Sequence, residues 1–401
     1  MTVTAQDVAS AALAIKSYVL RTPTIAATRL SEMLGLQLFL KLESMQFTGS
    51  FKDRGSCLKL QRLAQAKEPP AGVAAASAGN HAQGVAYHAR RLGMRALIVM
   101  PKNTPFSKVE RTEALGAEVL LRGESLAESA VYAQALATER QLTYVHPYDD
   151  PAIIAGQGTV ALEMLEDQPQ LDTLVVPIGG GGLCAGMAIW AKHSKPSIRV
   201  IGVQTEMCPS MVAHLRNENR VLHTHTLAEG IAVKTPGVLT SEIIKRLVDD
   251  VVLVGETDIE NAVQVLVAQQ KIVAEGAGAA GFAAVLRHPA LFKGREVGVV
   301  VCGGNIDRRM LSTVLLRGLK RDGKVAKLRI EIHDVPGVLA QVTQMIGAAG
   351  ADIIEIEHQR LFTSLAPRQA ELDVVMETRG QAHVDQILLT LEAAGFPAQS
   401  L

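Results

Sequence analysis

Leu174-Val175-Val176-Pro177-Ile178-Gly179-Gly180-Gly181-Gly182-Leu183 is an apolar run that ends on four consecutive glycines. The run reads as a strand buried on both faces, and the apolar stretch 187–190 beyond it reads as a helix. Linkers do not sit between a buried strand and an apolar helix, so the glycines form a strand-to-helix turn whose backbone N–H groups can approach a phosphate closely. Neither a GxGxxG spacing followed by an acidic residue nor a GK[ST] ending is present, which disfavours a nucleotide as the owner of that phosphate.

Similar apolar runs recur at 96–100, 200–203, 251–254 and 297–301, with helical patterns at 82–92, 107–115 and 259–272 between them. This alternation predicts an open α/β fold with parallel sheets, and ligands outside the carboxyl ends of the strands. A chain of 401 residues exceeds a single ordinary core. The segment Gly318-Leu319-Lys320-Arg321-Asp322-Gly323-Lys324 is polar, basic and bracketed by glycines, and it predicts a linker over 318–326 between a region 1–317 and a region 327–401. In the latter, a strand pattern around 328–332, a helical pattern at 338–348, strand patterns at 352–358 and 371–377 and a helical pattern at 382–394 follow in the order βαββα, a small α+β unit of ferredoxin-like type.

Forty basic residues balance forty acidic ones, which leaves no electrostatic footprint for nucleic acid or an anionic membrane and points to small-molecule partners. The four cysteines show no paired spacing, so neither a metal site nor a disulfide framework is expected, and a reducing cytoplasm is the expected location. The N-terminal stretch carrying Asp7 and Lys16 is amphipathic and offers no membrane span.

Four further turns carry candidate chemistry. In Thr48-Gly49-Ser50-Phe51-Lys52-Asp53-Arg54-Gly55, a lysine beside an aromatic residue is placed to be desolvated and to condense with an aldehyde. Ser77-Ala78-Gly79-Asn80-His81 follows a small-residue run and precedes a helix; it reads either as a carboxylate site built on backbone N–H groups or as a plain helix start with His81 in the core. Glu275-Gly276-Ala277-Gly278 is either a carboxylate near the reacting centre or a close-packed helix start, and Cys302-Gly303-Gly304-Asn305 offers a neutral thiol or a small buried hydrophobe. His223 and His225 have no metal-ligand neighbours and read as surface residues.

Taken together with Ala228-Glu229-Gly230-Ile231-Ala232-Val233-Lys234-Thr235-Pro236-Gly237, these motifs resemble, in order and spacing, the threonine dehydratases (threonine ammonia-lyases) over about residues 5–317. The resemblance implies a two-lobed fold type II pyridoxal phosphate enzyme, the smaller lobe spanning roughly 45–150. It implies Lys52 as the catalytic lysine that carries the cofactor, Phe51 against its ring and Asn80 on its ring hydroxyl. Gly179, Gly180, Gly181, Gly182 and Leu183 would hold its phosphate, Gly230 and Glu275 would line the site, and Cys302 would face the ring nitrogen. Ser77, Ala78, Gly79, Asn80 and His81 would receive the amino-acid substrate. A thiol supplies no permanent negative charge, so the ring nitrogen would not be held strongly protonated, which suits elimination better than transamination. The turn Asp334-Val335-Pro336-Gly337 resembles that of ACT domains, which implies an effector amino acid such as isoleucine or valine at Asp334, Pro336 and Gly337, in a homo-oligomer, dimer or tetramer. The alternatives are a plain dimerisation domain there, and for the whole chain a serine racemase or serine dehydratase, or a non-catalytic amino-acid sensor. The racemases typically carry a second serine where this chain has Ala78, and of their metal-binding pattern only Glu206 is matched.

Overall fold

The apolar runs form strands with nearly every residue buried: all of Thr173–Pro177, and all but the first residue of Arg199–Thr205 and of Glu296–Val301. A strand covered on both faces has no polar side to alternate with, which is why these runs are continuous. The computed structural model describes residues 2–361, 366 and 368–401. A six-stranded sheet runs in the order Thr24–Ala26, Gln37–Leu42, Glu296–Val301, Thr173–Pro177, Arg199–Thr205, Asp250–Val254. Only the first pair is antiparallel. Pro177 is tolerated in this central strand because pairing with Glu296–Val301 stops at Val175, so the side that lacks an N–H has no ladder to break.

A second, four-stranded parallel sheet has the order Glu118–Leu121, Arg95–Met100, Gly72–Ala76, Thr143–Tyr144. The helices Lys52–Ala64 and Pro151–Asp167 cross at paired glycines: a Cβ on Gly156 would lie 2.7 Å from the Gly55 Cα. That approach brings the first turn of Lys52–Ala64 down onto the strand ends. Beneath it lies a buried ion cluster. Arg54 donates to both oxygens of Glu43 (2.8 and 2.7 Å) and of Glu163 (2.7 Å each), and Lys41 donates to Glu163 at 2.6 Å.

The chain divides at 306/307 into two units. In the second, the helix Arg308–Arg321 precedes the strand Val325–His333, the helix Val338–Ala348, the strands Asp352–Gln359 and Gln369–Glu377, the helix Gln381–Ala393 and the strand Ala398–Ser400. Its sheet is antiparallel throughout, in the order Asp352–Gln359, Gln369–Glu377, Val325–His333, Ala398–Ser400, as in a ferredoxin-like unit. The linker expected over 318–326 is corrected. Residues 318–321 are the last turn of a helix and Val325 already opens a strand, leaving 322–324 as a turn with Gly323 at φ +63°. Gly318 does not break the helix but lies buried within it, and the boundary falls eleven positions earlier, at 306 instead of 317. Asp334, Pro336 and Gly337 form an exposed turn, with Gly337 at φ +95° capping Val338–Ala348 and Asp334 accepting from Arg360 at 3.1 Å. Among the described residues no helix is long and apolar enough to cross a membrane.

Candidate active site

The predicted site residues of the first unit converge at the carboxyl ends of its two sheets. Lys52 opens the helix Lys52–Ala64, and its ammonium donates to the Pro147 carbonyl at 2.8 Å while lying 5.1 Å from the Phe51 ring centroid. Removal from water disfavours the charged form, and burial lowers its pKa from the ordinary 10.5 to about 8, with the Glu275 carboxylate opposing. The loop before it is pinned to the strand end at Cys302. The Phe51 N–H donates to the Cys302 carbonyl at 3.1 Å and the Gly304 N–H to the Gly49 carbonyl at 2.9 Å.

The four glycines fall where the sequence placed them. Gly181 at φ +100° caps the helix Gly182–Ser194. A Cβ on Gly180 would lie 2.3 Å from the Tyr148 ring, and one on Gly181 2.8 Å from Thr240. Among the described residues no protein acceptor is paired with the backbone N–H groups of Gly179, Gly180, Gly181, Gly182 or Leu183. Five such donors at a helix N-terminus match the charge and oxygens of a phosphate. Thr240 stiffens the turn by donating to the Gly180 carbonyl at 2.7 Å, and Asp149 caps the helix that carries Thr240 by accepting from Val238 N and Thr240 N (3.0 and 3.1 Å).

A second polar set faces this turn's neighbour Gly230, whose added Cβ would lie 3.0 Å from the Ala277 Cβ and 3.5 Å from Glu275 Oε1. Asn80 Nδ2 donates to Glu275 Oε1 at 2.7 Å. Burial raises the Glu275 pKa from 4.5 to about 7, against the opposing effects of Asn80 and Lys52. The Glu275 run is a close-packed helix start: Gly276 and Gly278 pack so closely that a Cβ would come within 2.2 Å of Leu227 O and 2.1 Å of Gly303 O. Cys302 is buried and its thiol donates to the Ala277 carbonyl at 3.4 Å. Burial and Glu275 push that thiol well above the ordinary range, so it stays neutral.

In the Ser77 turn, Ser77 Oγ accepts from the Gly79 N–H at 3.1 Å, which takes one donor away from any incoming carboxylate but leaves the hydroxyl hydrogen. Ala78 is half-buried. The His81 imidazole is turned into the core against Val145 O at 3.0 Å, and burial followed by the Lys52 charge lowers its pKa to about 3. It is therefore a neutral core histidine and offers no charge to a substrate. His223 and His225 are exposed. Tyr148 and Thr240 carry no local signal in the sequence, and Asn305 has one only as the last residue of the Cys302 motif. Tyr148 follows a strand of only two residues, Thr143–Tyr144, too short to register as an apolar run. Asn305 ended a recognised motif but its partners lie far away in the chain.

Residues 15–303 match the family model described as "Pyridoxal-phosphate dependent enzyme". The chain is 42% identical over 396 residues to an L-threonine ammonia-lyase of Thermotoga maritima, covering 98% of each chain. Among solved structures it is similar to the processed form of threonine deaminase isoform 2 from Solanum lycopersicum (33% identity, TM-score 0.73, 78% of this chain and 88% of that one). It is also similar to serine racemase from Dictyostelium discoideum (32% identity, TM-score 0.71, 77% and 100%).

Proposed function

The chain belongs to the pyridoxal-phosphate-dependent enzyme family, and from that premise we propose that it dehydrates and deaminates L-threonine to 2-oxobutanoate and ammonia. Pyridoxal phosphate, when bound, withdraws electrons from the amino acid's α-carbon and so makes its proton removable. The N–H groups of Gly179, Gly180, Gly181, Gly182 and Leu183 would take the phosphate, Asn80 would donate to the ring oxygen, the neutral Cys302 thiol would meet the ring nitrogen, and Phe51 and Gly230 would flank the ring. Ser77 and the N-terminus of the helix Asn80–Arg91 would hold the substrate carboxylate.

The observation that carries the reading is Lys52: an amine whose pKa is pulled to about 8 by burial is available in its neutral form near physiological pH, as both nucleophile and base. It takes the α-proton from one side. A racemase needs a second proton carrier, and position 78 presents only a methyl group. Glu206, the residue that matches the racemases' metal-binding pattern, lies in an ion pair with Arg287 at 2.8 Å. Both features favour elimination over racemisation. Serine should also react, because losing one methyl contact changes discrimination by only ~1–3 kcal/mol. Incubation with L-threonine or L-serine should release ammonia and the matching 2-oxo acid in equal amounts. Conversion to the D-amino acid without ammonia would overturn the assignment.

The phosphate turn gives a separate expectation. In Gly180→Ala the new methyl meets the Tyr148 ring, which cannot swing away without breaking the 2.9 Å bond from its hydroxyl to the Thr235 carbonyl. Overpacking of this kind costs ~1–3 kcal/mol, so the cofactor dissociation constant should rise by roughly fivefold or more in a fluorescence titration. Unaltered affinity would remove this turn from the cofactor site.

We read the exposed Asp334 turn as the seat of an effector amino acid of the isoleucine or valine type, in a cytoplasmic homo-oligomer. The aliphatic choice is supported by Val335, which stands 56% exposed in that turn. The four cysteines, all free and buried, suit a reducing compartment.

A further inference from the structure

Three residues from distant parts of the chain form a relay of side-chain amides and a carboxyl. Asn305 Nδ2 donates to the Thr48 carbonyl at 2.7 Å and to Asn80 Oδ1 at 2.8 Å, and Asn80 Nδ2 donates to Glu275 Oε1 at 2.7 Å. The direction of this relay is fixed at one end. A backbone carbonyl only accepts, so the Asn305 nitrogen must face Thr48. Its second hydrogen then meets Asn80, whose oxygen must turn toward it. The Asn80 nitrogen is thereby left as the group presented to the site. Asn305 is also tightly seated, since a Cβ on Gly49, at φ +75°, would lie 2.7 Å from Asn305 Oδ1.

We propose that Asn305 is a positioning residue: through the Thr48 carbonyl it locks the Asn80 amide so that a donor, never an acceptor, faces the ring oxygen of the cofactor. This rests on the reading above that Asn80 meets that oxygen. With Asn305→Asp the side chain keeps its shape but only accepts, so Asn80 turns its nitrogen toward position 305 and its oxygen toward the site. The ring oxygen loses a donor and gains a repelling lone pair.

The experiment uses full-length protein, stripped of cofactor and titrated with pyridoxal phosphate, as wild type, Asn305→Asp, Asn80→Ala and the double variant. Absorbance spectra of the reloaded proteins are recorded across pH. Asn305→Asp should weaken cofactor binding about tenfold to a hundredfold, the range of a lost hydrogen bond to a charged group. It should also shift the visible band toward shorter wavelength, because the ring oxygen then keeps its proton. In the Asn80→Ala background the same change should add less than about twofold, since Asn305 acts only through Asn80. Additive losses, or a wild-type spectrum in Asn305→Asp, would overturn the proposal. If Asn80→Ala alone leaves spectrum and affinity unchanged, the placement of Asn80 at the ring oxygen is what fails. Should Asn305→Asp not fold, Asn305→Ala, which frees Asn80 to flip, is read in the same cycle with the same criteria.

Discussion

Lys52→Ala is expected to lose turnover by at least ~10³-fold and to bind pyridoxal phosphate without a covalent bond. The first loss follows from removing the base, a contribution usually of about 10²–10⁴, together with the nucleophile. Borohydride-treated wild type should carry the cofactor on the peptide containing residue 52, and the variant should carry none. A pH signature accompanies this. With a pKa of about 8, roughly a tenth of the Lys52 amines are neutral at pH 7, against about 0.04% for an ordinary lysine. Capture of the cofactor by stripped wild-type protein should therefore quicken as pH rises toward about 8 and level off above it. Attachment at another lysine, or a rate still climbing tenfold per unit beyond pH 9, would sink the assignment.

Arg54→Met should destabilise the first unit by about 3–5 kcal/mol, the cost of leaving buried charges without their partner. Arg54 is fully buried and holds two carboxylates, Glu43 and Glu163, through a planar fork that lysine cannot reproduce. Arg54→Lys should accordingly recover only part of the loss. Burial alone would raise the Glu43 pKa, but Arg54, Lys41 and Thr22 outweigh it and hold the carboxyl below its ordinary range. A carboxylate lowered in the folded state contributes stability that is present above its unfolded pKa of about 4.3 and is lost as pH falls through the lower folded value. The wild type should therefore lose this contribution in acid below about pH 4, and the variant should show a flatter profile there. Trp190, the single tryptophan, lies in the helix Gly182–Ser194, so urea unfolding followed by its fluorescence reports this unit alone. Equal midpoints for wild type and Arg54→Met would contradict the account.

The strands were legible because parallel strands covered on both faces leave continuous apolar runs, and the turns were legible because each follows such a run. The helix 308–321 was hidden by a glycine read as a breaker, which instead lies buried within that helix. His81 could have been either part of a substrate-receiving turn or a core residue on its sequence, and only its Val145 partner decides for the core. Asn305 stood at the end of a recognised motif, yet its function depends on Thr48 and Asn80, more than two hundred positions earlier.

By itself the sequence determined the layered parallel fold, the small α+β unit after it, and the places of the Lys52 turn and the glycine turn, since the runs that mark them are local in the chain. The tertiary structure alone decided protonation and direction: a lysine brought to about pKa 8, a glutamic acid brought to about 7, and an amide relay pointing one way. Those properties come from burial and from hydrogen-bond partners that residues far apart in sequence supply only once the strands have brought them together.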